Sequence, residues 1–231
     1  MQIDILDKGF VKLIDNMGND LSVVNAARVS LNRNSETFQD QDEKLIKYLL
    51  TKKHTSPFEH VVFTFLVKTP LFIRSQWMRH RMWSYNEISR RYTSENIDFY
   101  IPESFRKQAD NNRQASIDEE IDNINIRDGF ISHSKSVKNH ISDTSIYLFE
   151  SYKNLIEQGV SREQARMILP QNMYTSFYGT VDLWNLLHFL ELRNDSHAQY
   201  EMRLYAQAIE KIVESIVPST IKIWKKLKLT Q

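Results

Sequence analysis

The chain has 231 residues, 41% of them hydrophobic and 26% charged, which is the composition of an ordinary folded protein. Thirty Lys and Arg stand against 29 Asp and Glu, a net charge of +1, and this excludes a surface basic throughout and built for nucleic acid or membrane. Cysteine is absent, which excludes a disulfide, a Cys-ligated zinc, an iron–sulfur cluster and a thiol nucleophile, and the five glycines are too scattered for a phosphate-cradling glycine loop.

Taken in order, Ile3 and Ile5, a turn at Asp7-Lys8-Gly9 and the run Phe10 to Ile14 predict a hairpin over residues 1–16. Asp20 to Leu31 reads as a short helix with Asp20 as its N-cap. Asn32 to Gln41 reads as a polar loop, and Asp42 to Lys52 as a helix with Leu45, Ile46, Tyr48 and Leu49 on its apolar side. His54-Thr55-Ser56-Pro57 breaks that helix. His60 to Lys68 (HVVFTFLVK), β-branched and aromatic, is the clearest strand. Thr69-Pro70 reads as the cap and first residue of a helix running to about Arg81. Ser84 to Thr93 is less regular, with Ser89 to Tyr92 extended.

The polar residues 106–145 read as one or two solvent-facing helices, interrupted at Asp128-Gly129. Ile146 to Glu157 is amphipathic and closes on Gly159 as a C-cap. Ser161 starts a short helix, with Glu163 in its first turn, and Pro170 follows it. Tyr174 to Val181 reads as a strand, and Asp182 to Leu192 and Ala198 to Val217 as helices, the last ended or kinked by Pro218. The expected fold is α+β, a single domain over 1–231 with a central, mostly antiparallel sheet flanked by long helices. No run approaches the ~18 apolar residues of a membrane span. The opening MQIDILDKGF carries acids where a secretory signal is apolar, so a cytoplasmic protein is expected.

Residues 74–91 (RSQWMRHRMWSYNEISRR) hold five of the fourteen arginines, no lysine and one acid, Glu87. Arginine without lysine suggests recognition by the planar fork, which holds phosphate or carboxylate bidentately and stacks on rings. Trp77, Trp83 and Tyr85 are candidate ring faces. On one continuous helix Arg79 and Arg81 would lie ~200° apart, which fits two ligands better than one. Two blander readings stand beside this: a solvated basic face, and a stacking platform for single-stranded nucleic acid over 74–91. His54 and His60 flank Glu59, but no H-E-x-x-H occurs and the other histidines are scattered, so no metal site is expected.

RHRMWSYNEISRRY, Arg79 to Tyr92, resembles the signature RHRxxSxNxxSxR of the flavin-dependent thymidylate synthases at every specified position. HTSPFEH (54–60), PLFIRSQWM (70–78), RNDSHAQYE (193–201), the opening MQIDILDKGF and the later AARVS resemble that family too, and the likeness is weakest across 104–145. The resemblance implies methylation of deoxyuridine monophosphate (dUMP) to thymidine monophosphate (dTMP). Methylenetetrahydrofolate would be the carbon donor, FAD reduced by NADPH the hydride source, and a homotetramer with shared flavin sites the assembly. A flavoenzyme acting on another pyrimidine nucleotide is the nearest variant of that reading.

Residue by residue, the resemblance implies a dUMP site made of Gln76, Trp77, Met78, Arg79, Glu87, Ile88, Ser89, Arg90, Arg91, Arg166 and Arg193. It implies an FAD site made of His54, Ser56, Arg79, His80, Arg81, Glu87, Asp182, Trp184 and His188. Arg193 matches the residue that favours ionisation at N3 of uracil. A guanidinium cannot act as a base, but it stabilises a uracil anion and so drives electron density to C5. The absence of cysteine agrees, since thiolate attack on the ring is then impossible. Three positions depart from the family pattern: Asp182 and Trp184 stand where Asn and Arg are frequent, and His188 where an Asn is. Glu87 also reads as a charge partner that spaces the arginines. His197, four residues after Arg193, reads equally as a substrate-orienting group or a helix cap.

Overall fold

The computed structural model describes residues 1–110, 112, 116–128 and 131–229. Strands β1 (Gln2–Ile5) and β2 (Gly9–Met17) form the expected hairpin, with Ile3 opposite Val11. Helix α1 (Asp20–Arg28) is capped by Asn19 rather than Asp20: Asn19 Oδ1 accepts from the amides of Leu21 and Ser22, and Ser22 Oγ accepts from the Asn19 amide. Helix α2 (Asp40–Thr51) begins inside the stretch expected as loop, because Asp42 accepts from the Gln39 amide and so closes the first turn earlier.

Strand β3 (Val62–Pro70) takes in Thr69 and Pro70, which pair with Thr175 and Tyr174 instead of opening a helix. The next helix, α3 (Leu71–Trp77), is therefore short and stops four residues before Arg81. Strand β4 (Ser84–Glu87) follows, and Ser89 to Tyr92 is a turn closed by Tyr92 N–H to Ser89 C=O at 3.0 Å, not an extended segment.

Among the described residues of the polar stretch 106–145, only 137–145 are helical, as the start of the helix that follows; 106–136 contradicts the expectation. It forms two hairpins, β5 (Arg106–Gln108) with β6 (Ser116–Glu120), and β7 (Asn123–Asp128) with β8 (Ile131–Ser136). Every residue of β6 is exposed, so the apolar alternation that marks a half-buried strand has nothing to report. The expected break at Gly129 lies outside the described residues. Helix α4 (Val137–Glu157) is closed by Gly159 at φ +89°, as expected.

Helix α5 (Arg162–Ala165) starts after Ser161, and β9 (Tyr174–Asp182) runs into α6 (Leu183–Arg193). Helix α7 (Tyr200–Glu214) ends before Val217, and Pro218 opens a further helix, α8 (Pro218–Lys228), instead of only terminating α7. Asp20 supplies the start of α8: its carboxylate accepts from the amides of Ser219 at 2.9 Å and Thr220 at 3.0 Å.

The sheet order is β1-β2-β3-β9-β4, and every pairing is antiparallel. Alternate residues of the two central strands, among them Phe63, Phe65, Val67, Phe177 and Val181, enter one buried cluster with Leu186, Leu190, Tyr205, Ile209 and Ile212 from α6 and α7. Each such burial contributes roughly 1.5–3 kcal/mol. Gly179 sits mid-β9, opposite Phe65 and Tyr85, and a Cβ placed there would lie 3.1 Å from Cε3 of Trp83, so the missing side chain lets the indole lie against the strand. A smaller cluster, Tyr152, Ala165, Leu169 and Met173, packs under α4. Among the described residues no helix is long and apolar enough to cross a membrane. This frame sends the end of α3, strand β4 and the end of α6 toward one region of the molecule, where the arginines collect.

Candidate active site: two arginine-lined cavities

The first cavity, about 510 Å³, lies between β4 and the α5 turn. Glu87 is committed within it. Arg74 donates to Glu87 Oε2 from Nε at 2.8 Å and from Nη2, and Thr175 Oγ1 donates to Glu87 Oε1 at 2.8 Å. Arg90, 7% exposed, donates from Nη1 to the Glu95 carbonyl at 2.7 Å and from Nη2 to that of Asn96 at 3.4 Å. Burial lowers its pKa, and its role here is to close the 89–96 turn. Ser89 Oγ accepts from the Arg91 amide at 3.2 Å, Arg91 approaches Glu163 at 3.5 Å, and Arg166 Nε donates to the Glu163 carbonyl at 3.3 Å. Ile88, Ser89 and Arg166 line the cavity.

The second cavity, about 420 Å³, is lined by Arg79, His80, Arg81, Trp83, Asn185, His188 and Arg193 among others. Arg193 Nε donates to His80 Nε2 at 2.9 Å, and Arg193 Nη2 donates to the Gln76 carbonyl at 3.3 Å. His80 is buried, and desolvation, then the charge of Arg193, then His188, push its pKa from 6.5 to about 4. It is neutral at physiological pH, as it must be to accept from a guanidinium. Burial also lowers the pKa of Arg193, which nonetheless remains a cation. A third cavity of about 530 Å³ shares Asn185 and His188 with the second and reaches Lys53, Trp184, Trp224 and Lys228. The two adjoin at these residues as one trough, whose third-cavity half also carries an acid, Glu191.

Several expectations change. Because α3 stops at Trp77, Arg79 and Arg81 are not on opposite sides of a helix, and both line the second cavity. Trp77 has no exposed surface and Trp83 is 5% exposed; the Trp77 ring packs among Trp83, Phe177, Phe189 and Tyr205. The segment thus lacks the row of open rings that a nucleic-acid stacking platform needs, and Trp77 offers no ring face to a nucleotide. Met78 is partly buried against the same core.

Asp182 caps α6, accepting from the Asn185 amide at 2.9 Å and the Asn185 side chain at 2.7 Å, so both its oxygens serve the helix. Trp184 both packs on Phe58 and lines the trough, and His188 lines both of its halves. His54 and Ser56 are exposed in the turn after α2, where His54 meets Tyr48 edge-on, and neither lines these cavities. His197 is exposed and held by Asp195 at 2.8 Å. Sequence reading missed Thr175 and Asn185. The spacing Asn185, His188, Leu192 places three lining residues on one face of α6, and that periodicity was available to find the second.

A family model described as thymidylate synthase complementing protein matches residues 12–219. The flavin-dependent thymidylate synthase of Thermus thermophilus is 47% identical over 222 residues, covering 94% of this chain and 76% of its own. That of Thermotoga neapolitana is 44% identical over 226 residues, covering 98% and 95%. The chain belongs to the flavin-dependent thymidylate synthase family. Among solved structures, the UMP/dUMP methylase PolB from Streptomyces cacaoi, bound with 5-Br dUMP, superposes with a TM-score of 0.79 at 32% identity, covering 97% of each chain.

A flavin-dependent thymidylate synthase needs room for an extended anionic dinucleotide, and the trough fits that group. Its two halves lie within the ~300–1,000 Å³ span of ligand sites. Arg79 and Arg81 both line it, and a guanidinium is a planar donor suited to phosphate oxygens. Trp184 and the neutral His80 offer ring and imidazole surfaces without adding charge.

Proposed function

We propose that this protein methylates C5 of dUMP to give dTMP, with methylenetetrahydrofolate as carbon donor, FAD as hydride carrier and NADPH as electron source. One observation carries the reading: Arg193 is fixed by two acceptors, His80 and the Gln76 carbonyl, in a cavity whose lining contains no acid. A guanidinium so held is oriented before substrate arrives. It bonds the uracil ring in its N3-ionised form more strongly than the neutral ring, which draws negative charge into the ring and makes C5 nucleophilic. No protein nucleophile is required, in keeping with a chain that has no cysteine. Arg79, Arg81, Trp184 and His188 would hold FAD in the trough, where the reduced flavin would supply the hydride that completes the methyl group.

Ser89, Arg91 and Arg166 are placed to hold the nucleotide phosphate, with Gln76 and Arg79 at its junction with the flavin. Glu87, Arg90 and Asp182 act through the protein itself, fixing β4, the turn after it and the start of α6. Ser89 and Arg166 line the first cavity, Arg91 reaches its wall through Glu163, and Arg193 lines the second; these cavities share no lining residue. That division supports a homotetramer in which one subunit's phosphate loop faces another's Arg193. A cytoplasmic location agrees with these substrates. A second reading, methylation of UMP, rests on the S. cacaoi methylase, whose name covers both nucleotides.

The test is a visible spectrum of the protein with FAD, then NADPH and dUMP without oxygen, followed by product analysis after adding methylenetetrahydrofolate. Bleaching that quickens with dUMP, and dTMP as product, is expected. Absence of flavin uptake at micromolar concentration overturns the assignment, and methylation of UMP in preference to dUMP selects the second reading.

A further inference from the structure

Glu201, second residue of α7, is 6% exposed. A carboxylate that deep must be paired, and both oxygens are: Arg106 Nη2 donates to Oε1 at 2.9 Å, and Gln199 Nε2 donates to Oε2 at 2.9 Å. Arg106 is itself held by its Nε on Ser116 Oγ at 3.0 Å and by the Tyr200 ring, 4.5 Å beneath its guanidinium carbon. With its nitrogen committed to Glu201, the Gln199 amide presents its oxygen in one direction, and Gln76 Nε2 donates to it. The Gln76 backbone carbonyl in turn accepts from Arg193 Nη2. A continuous set of polar contacts therefore runs from an outlying hairpin to Arg193.

We infer that Glu201, charge-balanced by Arg106, is a positioning residue for the nucleotide site, acting through Gln199 on Gln76. The inference rests on the proposed placement of Gln76 and Arg193 at the nucleotide. Gln76 is the node: one amide hydrogen is spent on Gln199, the second remains for a ligand oxygen, and its carbonyl orients Arg193. Ordering Gln76 beforehand removes the cost of immobilising a rotamer-rich side chain when the nucleotide binds. Arg106 lies in β5, so this input reaches the site from outside the five-stranded sheet.

The experiment uses the flavin-loaded protein and four variants: Gln199→Leu, Arg106→Ala, Arg106→Lys and Gln76→Ala. For each, KM for dUMP, kcat at saturating dUMP and the thermal midpoint are measured. Quenching of tryptophan fluorescence by dUMP gives binding without turnover. Loss of one hydrogen bond predicts a roughly 3- to 10-fold weaker dUMP interaction in Gln199→Leu, in both KM and quenching. Its kcat and midpoint should stay near those of the parent. Arg106→Ala should weaken dUMP at least as much, and Arg106→Lys should restore part of the loss.

If Gln76→Ala weakens dUMP but Gln199→Leu and Arg106→Ala do not, the relay is overturned while the placement of Gln76 stands. A fall in midpoint with unchanged dUMP binding in the Arg106 variants reduces the pair to an anchor for the hairpin and also overturns it. If Gln76→Ala leaves dUMP binding unchanged, the placement of Gln76 fails, and the relay with it.

Discussion

The two arginine-lined cavities are built on opposite electrostatic plans. In the first, Arg74 meets the Glu87 carboxylate and Arg91 that of Glu163, while Arg90 and Arg166 donate to backbone carbonyls, so its wall carries acids beside its cations. In the second, Arg79, Arg81 and Arg193 line one cavity, Arg193 donating to a neutral imidazole, and no acid is among the lining residues. The first can therefore hold its shape without a ligand. Among the described residues no carboxylate in the second balances its arginines, so an anion would be favoured there. Shape and charge are thus supplied by separate parts of the molecule, and substitutions should separate them.

The largest contrast is expected between arginines. Arg193→Ala should lower methylation by at least ~10²–10³-fold while flavin stays bound, as loss of a preorganised charge-stabilising donor does. Arg166→Ala should instead raise KM for dUMP by roughly 10-fold, the scale of one charged hydrogen bond. Steady-state kinetics of both variants tests the division, and near-normal turnover of Arg193→Ala breaks it.

His80 gives a pH signature that the first cavity lacks. Unfolded, it titrates near 6.5; folded, at about 4. Between these values the unfolded chain holds a proton that the folded one does not, so stability falls as pH drops from 6.5 to 4. The loss approaches roughly 3 kcal/mol at the lower end, with no contribution above 6.5. Urea midpoints across that range should slope in the parent and flatten in His80→Gln, whose amide oxygen still accepts from Arg193.

On the other side, Glu87→Gln leaves the half-exposed Arg74 without its counter-charge and should cost about 1–2 kcal/mol of unfolding free energy. An unchanged urea midpoint would mean that Glu87 does not organise the first cavity. The smallest effect should come from inorganic pyrophosphate. At several times its Kd it should raise the midpoint by about 2–4 °C through the second cavity, and Arg79→Ala with Arg81→Ala should remove the rise.

What the sequence made legible follows from where burial is one-sided. Strands β3 and β9 announce themselves because each alternates a buried apolar face with a partly buried one. Gly159 and Ser161 mark chain reversals through their backbone and hydroxyl chemistry. The 106–136 hairpins were illegible for the opposite reason: with little side-chain burial, polar residues fit helix and strand alike. Prolines misled twice. Pro70 sits at the end of a strand and Pro218 opens a helix whose cap, Asp20, is remote in sequence. Local reading cannot see a partner that distant.

At the site, the arginine signature singled out candidate residues but not which of them hold the protein's own structure. Arg90, Glu87 and Asp182 carry the same side-chain chemistry as ligand contacts, and only their fixed partners separate the two roles. Trp77 reads as a ring for stacking until α3 turns it inward.

Gly179 gives the sheet control over one wall of the second cavity. The Trp83 indole that lies against it also lines the cavity containing Arg193. Residue 179 therefore acts as a gauge block beneath that wall. A methyl group added in the middle of β9, out of reach of any ligand, would lift the indole by the few tenths of an ångström that the strand cannot yield. The space left for a planar ring would shrink accordingly. The width of that cavity is thus open to revision from inside the fold, by a position that does not itself line it.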